Sequence, residues 1–390
     1  MSGDDGADSG ETTGASHPSG RSPGRVTGTE TPDVVAARWK IRDYALGDVS
    51  AAGGAFVWTF VSLAILFGPI EQPLALAPLV LVPAAVRMAA RPRFSGLADR
   101  LHSAATLCQP VGALLVTVSV VVPPGTVAAA LAVPWVLVTA LLGLTGFARF
   151  RDRLARAWQR GDEDGAGDGD GTGGTTGRGG PNDRTGPDSL WTVLTAPETL
   201  IDAGFVYLTV GSTALVLSHL GVTFWFVPAI ILLTAVHFHY AGFVLPVFTG
   251  FAGRCVGPVG DRVYRPLAAV VLVGPALIAV GISFSPVVEL AAVGAFTLAV
   301  AALGGYVAVR VASQRARAQR VLLRAAALAL PVSMALALGY GVGAYTGNPP
   351  FGLGLSTMVT LHGSLNAYVF GFFGLIAWRL SVPLGPRRVG

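Results

Sequence analysis

Ten apolar segments recur along this chain, and the connections between them alternate between arginine-bearing and arginine-free. The segments read as 51–70, 73–89, 104–122, 126–148, 197–219, 222–248, 264–283, 286–309, 321–345 and 352–378. Each can cross a hydrocarbon core of ~30 Å at ~1.5 Å per helical residue. The connections after the second, fourth, sixth and eighth segments hold Arg91 and Arg93; Arg151, Arg153 and Arg156; Arg254 and Arg262; and Arg315, Arg317 and Arg320. The approach to the first adds Arg38, Lys40 and Arg42, and the C-terminal tail adds Arg387 and Arg388. The other five connections, "IEQP", "VPPGT", "HLGVT", "SFSPV" and "YTGNPPF", contain no lysine or arginine. Basic residues favour the cytoplasmic side of a membrane. An all-α polytopic bundle of about ten transmembrane helices, both termini cytoplasmic, satisfies that rule at every loop.

Composition agrees: 52% of residues are hydrophobic and 13% are charged, against about 25% charged in soluble domains. Of the 22 carboxylates, most fall in two polar stretches near the start and middle of the chain, so the formal charge of +5 reflects arginines at helix ends. That excludes a nucleic-acid-binding face and makes the lipid bilayer the expected partner, with the plasma membrane as location. The two cysteines, Cys108 and Cys255, fall in a span and a loop and suggest neither a disulfide nor a zinc site. Residues 1–33 hold no apolar core of the kind a secretory signal carries, so the first span is expected to direct its own insertion.

The expected organisation is a disordered polar tail (1–45), a four-helix membrane region (46–150), a flexible acidic Gly-rich linker (151–190), a six-helix membrane region (191–380) and a basic tail (381–390). The linker rests on "GDEDGAGDGDGTGGTTGRGGPNDRTGPD" at 161–188, which has too little apolar surface to bury.

Ionisable residues inside spans usually face the bundle interior and mark function. Glu198 in "TAPE" reads as part of a capping box with Thr195 as N-cap. Asp202, one turn deeper, is a candidate functional carboxylate or partner of a histidine. Glu289 and His219 lie near span ends, where water solvates them. His102 and His17 carry no site argument, and Arg324 is placed to snorkel. That leaves His237 and His239 in "TAVHFHYAGF" and His362 in "TLHGSLNAYVFGFFG". Residues at i and i+2 on a helix point about 200° apart, so His237 and His239 cannot ordinarily bind one ion together. Each needs partners from other helices.

"VHFHY" resembles the "HFHY" helix of haem-copper oxidase subunit I, and "LHG" at 361–363 is similar to the His-Gly context of that family's other low-spin haem ligand. The resemblance implies His239 and His362 as the two axial ligands of one b-type haem. The further copper-site histidines are missing and the motif order is inverted, which separates the likeness from oxygen reduction. Over 190–380, "HFHYAGF" and "HGSLNAYVFGF" resemble the YndJ-like family of membrane proteins, which implies a membrane location and no particular chemistry.

The expectation is a buried histidine site between spans six and ten, taking a divalent metal or b-type haem. His239 and His362 are its principal ligands, offset in depth by about 10 Å on the span limits above, with His237 as a third ligand or gate. Tyr240 and Asn366 would supply hydrogen bonds to ligand or imidazole, and Asp202 would orient a histidine. A secondary transporter using the same imidazoles for proton or solute coupling is the alternative, and a structural protein with helix-crosslinking histidines is a third. The pattern suggests binding or transport rather than catalysis; a small solute or a redox partner would be the counterpart.

Overall fold

The computed structural model describes residues 39–64, 67–166, 190–348, 352 and 354–386. The expected tail up to residue 38 and the expected linker from 167 to 189 lie outside the described residues. Among the described residues ten helices are long and apolar enough to cross a membrane: spans one to ten run Leu46–Leu63, Glu71–Ala89, Gly96–Val121, Thr126–Gln159, Pro197–His219, Pro228–Gly253, Asp261–Phe284, Pro286–Gln314, Arg317–Gly343 and Leu355–Leu380. Each corresponds to one segment expected from the sequence. Among the described residues the only sheet is a two-stranded hairpin, Lys40–Ile41 against Tyr44–Ala45. It leads into span one, with Leu46 N–H bonded to Trp39 O at 2.9 Å, so the segment read as tail is ordered from residue 39. The helix of span four also continues to Ala166, into the stretch read as linker.

Span two forms the centre. Buried residues make up 89% of its apolar window, against 11% for span one, which therefore lies at the periphery. Its sequence carries Pro73, Pro78 and Pro83 at five-residue intervals, and proline has no amide hydrogen to give. The helix answers by widening to a π-turn over Ala77–Leu81, where Val82 N–H bonds Ala77 O. Pro83 can give nothing to the Pro78 carbonyl, and Gln109 of span three supplies that bond at 2.9 Å. Pro73 O, which also accepts from Ala77 N–H, takes a bond from Tyr240 of span six at 2.8 Å, and Trp58 of span one donates to Gln72 O at 2.9 Å. An unsatisfied carbonyl in hydrocarbon costs several kcal/mol, so so irregular a span must be surrounded by protein.

Three more spans contain π-turns: Tyr240–Val244 in span six, just before Pro246; Val307–Val311 in span eight; and Leu365–Phe373 in span ten. Arg324 of span nine donates through Nε to Ala308 O in the π-turn of span eight at 3.2 Å while its side chain stays exposed. The irregular parts of spans two, six and ten meet at Gly371, where an added methyl would sit 3.3 Å from both Leu81 and Tyr240. Interfaces between membrane helices depend on such close approach, since lipid offers no hydrophobic drive to associate.

The arginine-rich end is closed by a buried ionic network. Arg254 grips Glu198 with two bonds, at 2.7 and 3.0 Å, and Arg149 reaches Glu198 and Asp202 at 2.5 Å each. Arg153 pairs with Asp202 as well. Arg254 also donates to Ala89 O at 3.0 Å and Pro383 O at 3.2 Å, tying span two and the C-terminal segment to spans four, five and six. Glu198 is therefore not the partner in a capping box. Thr195 donates to Trp191 O at 2.7 Å, and Ala196 is the N-cap of span five, with no side-chain bond. A charge-assisted pair in a dry interior outweighs a single N–H cap.

Candidate functional site

His239 and His362 do not face one another. His239 is 1% exposed and turned toward spans four and five. Its Nδ1 lies 2.7 Å from Ala235 O, and its Nε2 lies 3.1 Å from Trp135 Nε1. An indole N–H only donates, so Nε2 accepts and Nδ1 carries the hydrogen. Both ring nitrogens are thereby used. Gly211 of span five permits this: a methyl there would meet His239 Nδ1 at 2.9 Å and Ala235 O at 3.1 Å. An axial bond from His239 to haem iron would require losing the Trp135 bond inside a packed interface. The structure thus gives His239 and His362 different partners and does not bring them together as the two axial ligands expected from the resemblance.

The partner of His362 is His237, with ring centroids 6.3 Å apart and planes tilted by 33°. The 200° separation along span six decides this, because only one of its histidines can look toward span ten. His237 Nδ1 donates to Leu233 O at 2.7 Å. Its Nε2 has no partner among the described residues, and the ring is open to a cavity although it lies within the bundle. His362 Nδ1 lies 3.0 Å from Ser333 O and 2.9 Å from Ser333 Oγ, so it is the protonated nitrogen. Its Nε2 is 3.2 Å from Asn366 Nδ2, which also contacts Ser333 Oγ and reaches His362 O at 2.9 Å. An amide nitrogen has two hydrogens for these three acceptors. The long contact to His362 Nε2 is the one most readily released.

Tyr240 lines the same cavity as His237 and His362 with its hydroxyl engaged elsewhere, and Asp202 lies away from it. The Tyr240 hydroxyl is taken by Pro73 O, and the Asp202 carboxylate by Arg149 and Arg153 at the arginine-rich end. His219, expected in interfacial water, is buried with Nε2 3.2 Å from Ser119 Oγ of span three. Among the described residues no three His, Cys, Asp or Glu side chains gather closely enough to hold a metal ion. Sequence reading missed Ser333 and Trp135. Ser333 follows Pro331 in an unremarkable apolar run, whereas Trp135 carried a usable signal: an indole in a span needs an acceptor.

The cavity that His237, His362 and Asn366 share has a volume of about 1400 Å³. Its walls come from spans two and four to ten and are overwhelmingly apolar. Phe224 and Phe226 from the connection after span five, Tyr345 from the connection after span nine and Pro286 at the start of span eight also line it. It therefore reaches the arginine-free end, opposite the ionic network. What such a space can do is hold a largely apolar molecule and offer it a few hydrogen-bonding groups.

Residues 73–372 match a family model described as "YndJ-like protein". The chain is also similar to a Bacillus subtilis (strain 168) protein named "Uncharacterized membrane protein YndJ", with 32% identity over 186 residues. That match takes in 47% of this chain and 33% of the relative, so the chain spans about a third of the curated relative's length. No solved structure matches.

Proposed function

The chain belongs to the YndJ-like family, and we propose that it is a secondary transporter that takes an amphipathic small molecule into the His237–His362 cavity. One observation carries this reading: an unpartnered imidazole nitrogen, His237 Nε2, fronts a large apolar cavity within the bundle. The cavity reaches the arginine-free end while a buried ionic network closes the other, the arrangement of one state in an alternating-access cycle. The π-turns in spans two, six, eight and ten supply points where helices can bend. By the positive-inside rule the closed end and both termini are cytoplasmic and the cavity opens outward across the plasma membrane.

The test is binding and uptake. Protein reconstituted in nanodiscs and examined by native mass spectrometry should retain a small amphiphile, and His237→Ala should lose it. Proteoliposomes should accumulate the same molecule. Retention unaffected by His237→Ala, or binding without any uptake, would remove the site or the transport step respectively.

A second reading rests on a separate observation: His237 and His362 each donate Nδ1–H to a backbone carbonyl, as metal-ligating imidazoles usually do. We propose as the alternative that these two residues hold a metal or haem iron through Nε2, with Asn366 released from His362. A haem there would supply electron transfer. A Soret band lost in both His237→Ala and His362→Ala would favour this reading over transport.

A further inference from the structure

Among the described residues lining the cavity, Glu289 is the one carboxylate side chain, and no lysine or arginine joins it. The residue sits in the first turn of span eight, after Ser285, whose hydroxyl accepts from Val288 N–H at 3.4 Å. A helix N-terminus suits a carboxylate, which accounts for its being tolerated there. It does not account for the lack of a counter-charge, since the Glu289 carboxylate has no hydrogen bond or ion pair among the described residues. The side chain is half-buried. An isolated carboxylate at the edge of an apolar space repels anions and attracts cations, more strongly than in bulk water because the surroundings are less polarisable.

Its depth relative to the imidazoles sets the size of what fits. Glu289 is three residues into span eight and His237 is nine residues into span six, both counted from the arginine-free end. At ~1.5 Å per residue His237 lies about 9 Å deeper. His237 Nε2 is an acceptor, because its Nδ1 holds the hydrogen. Deepening the reading that this cavity binds an amphiphile, and resting on it, we propose that the ligand is a lipophilic amine. Its ammonium pairs with Glu289, its apolar body follows the walls, and a hydroxyl or amide N–H reaches His237 Nε2.

The probes are a dansyl-tagged long-chain primary amine, its N-acetylated neutral counterpart and the matching carboxylate. Saturable binding is measured on protein in phosphatidylcholine nanodiscs, with empty discs subtracted. The amine should bind about tenfold more tightly than the neutral analogue, as one partly desolvated ion pair allows. Glu289→Gln should abolish that preference, Glu289→Asp should keep most of it, and His237→Ala should weaken both probes alike. Equal binding of amine and neutral probe, unchanged in Glu289→Gln, would overturn the amine assignment and leave the cavity reading intact. Saturable binding of none of the three would overturn the cavity reading and this one together. Repeating the titration with phosphatidylethanolamine in the discs identifies the source of the ammonium. Competition by that lipid assigns it to a headgroup, and absence of competition assigns it to a free amine.

Discussion

Trp135 donates its indole hydrogen to Nε2 of His239 at 3.1 Å, with the two rings 14° from parallel. The bond joins span four to span six through residues that are 0% and 1% exposed. It turns the most conspicuous motif histidine of the sequence into a structural group.

The first prediction follows from that bond. Trp135→Phe leaves His239 Nε2 without a donor in a dry interface, which costs about 1–3 kcal/mol. His239→Ala should destabilise as much or more, and the double variant should cost less than the sum of the singles. Thermal unfolding of detergent-solubilised protein reads this directly. If His239→Ala kept full thermal stability yet lost ligand, the structural assignment of His239 would be wrong.

The ionic network gives the second. Glu198→Leu strands Arg254 in a buried site and leaves Arg149 with Asp202 alone, and removing one member of such a group costs about 3–5 kcal/mol. Glu198→Leu combined with Arg254→Leu should be less damaging than Glu198→Leu alone. The amount of monodisperse protein after extraction and its melting temperature both report the effect. A wild-type melting temperature for Glu198→Leu would show that these charges are not coupled.

Cys255 provides a pH test. Burial pushes its thiol up from the ordinary value to about 11, Arg315 and Arg254 offsetting this only in part. The Sγ hydrogen is directed at Phe251 O, 3.1 Å away. Thiolate is the reactive form, so a raised pKa means slow alkylation at neutral pH and acceleration as pH climbs toward 11. Iodoacetamide kinetics on a Cys108→Ser background measure this. Rapid reaction at pH 7 would contradict the buried setting.

Sidedness gives the fourth. On a background lacking Cys108 and Cys255, Asn348→Cys lies in an arginine-free connection and Gly257→Cys in an arginine-bearing one. A membrane-impermeant maleimide added to intact cells should label the first and spare the second. Labelling of Gly257→Cys alone would invert the proposed orientation.

Class and number of spans were legible in the residues alone. Ten apolar runs of sufficient length fix ten spans, because a backbone in lipid must satisfy its own hydrogen bonds and a helix is the local way to do so. The sequence also singled out the intramembrane histidines as candidates, since a histidine among apolar neighbours is costly unless something uses it. What it could not determine was which histidine meets which helix. His237 and His239 differ by two positions, and the choice between Trp135 and His362 as partner depends on how span six is rotated in the bundle. That rotation is set by neighbours distant in sequence: by Gly211, which lets span five approach His239, and by Pro73, whose carbonyl anchors Tyr240. Asp202 illustrates the same limit. Its place on the helix was legible, but its partners Arg149 and Arg153 come from another span, and only packing decides whether a buried carboxylate finds an arginine or an imidazole.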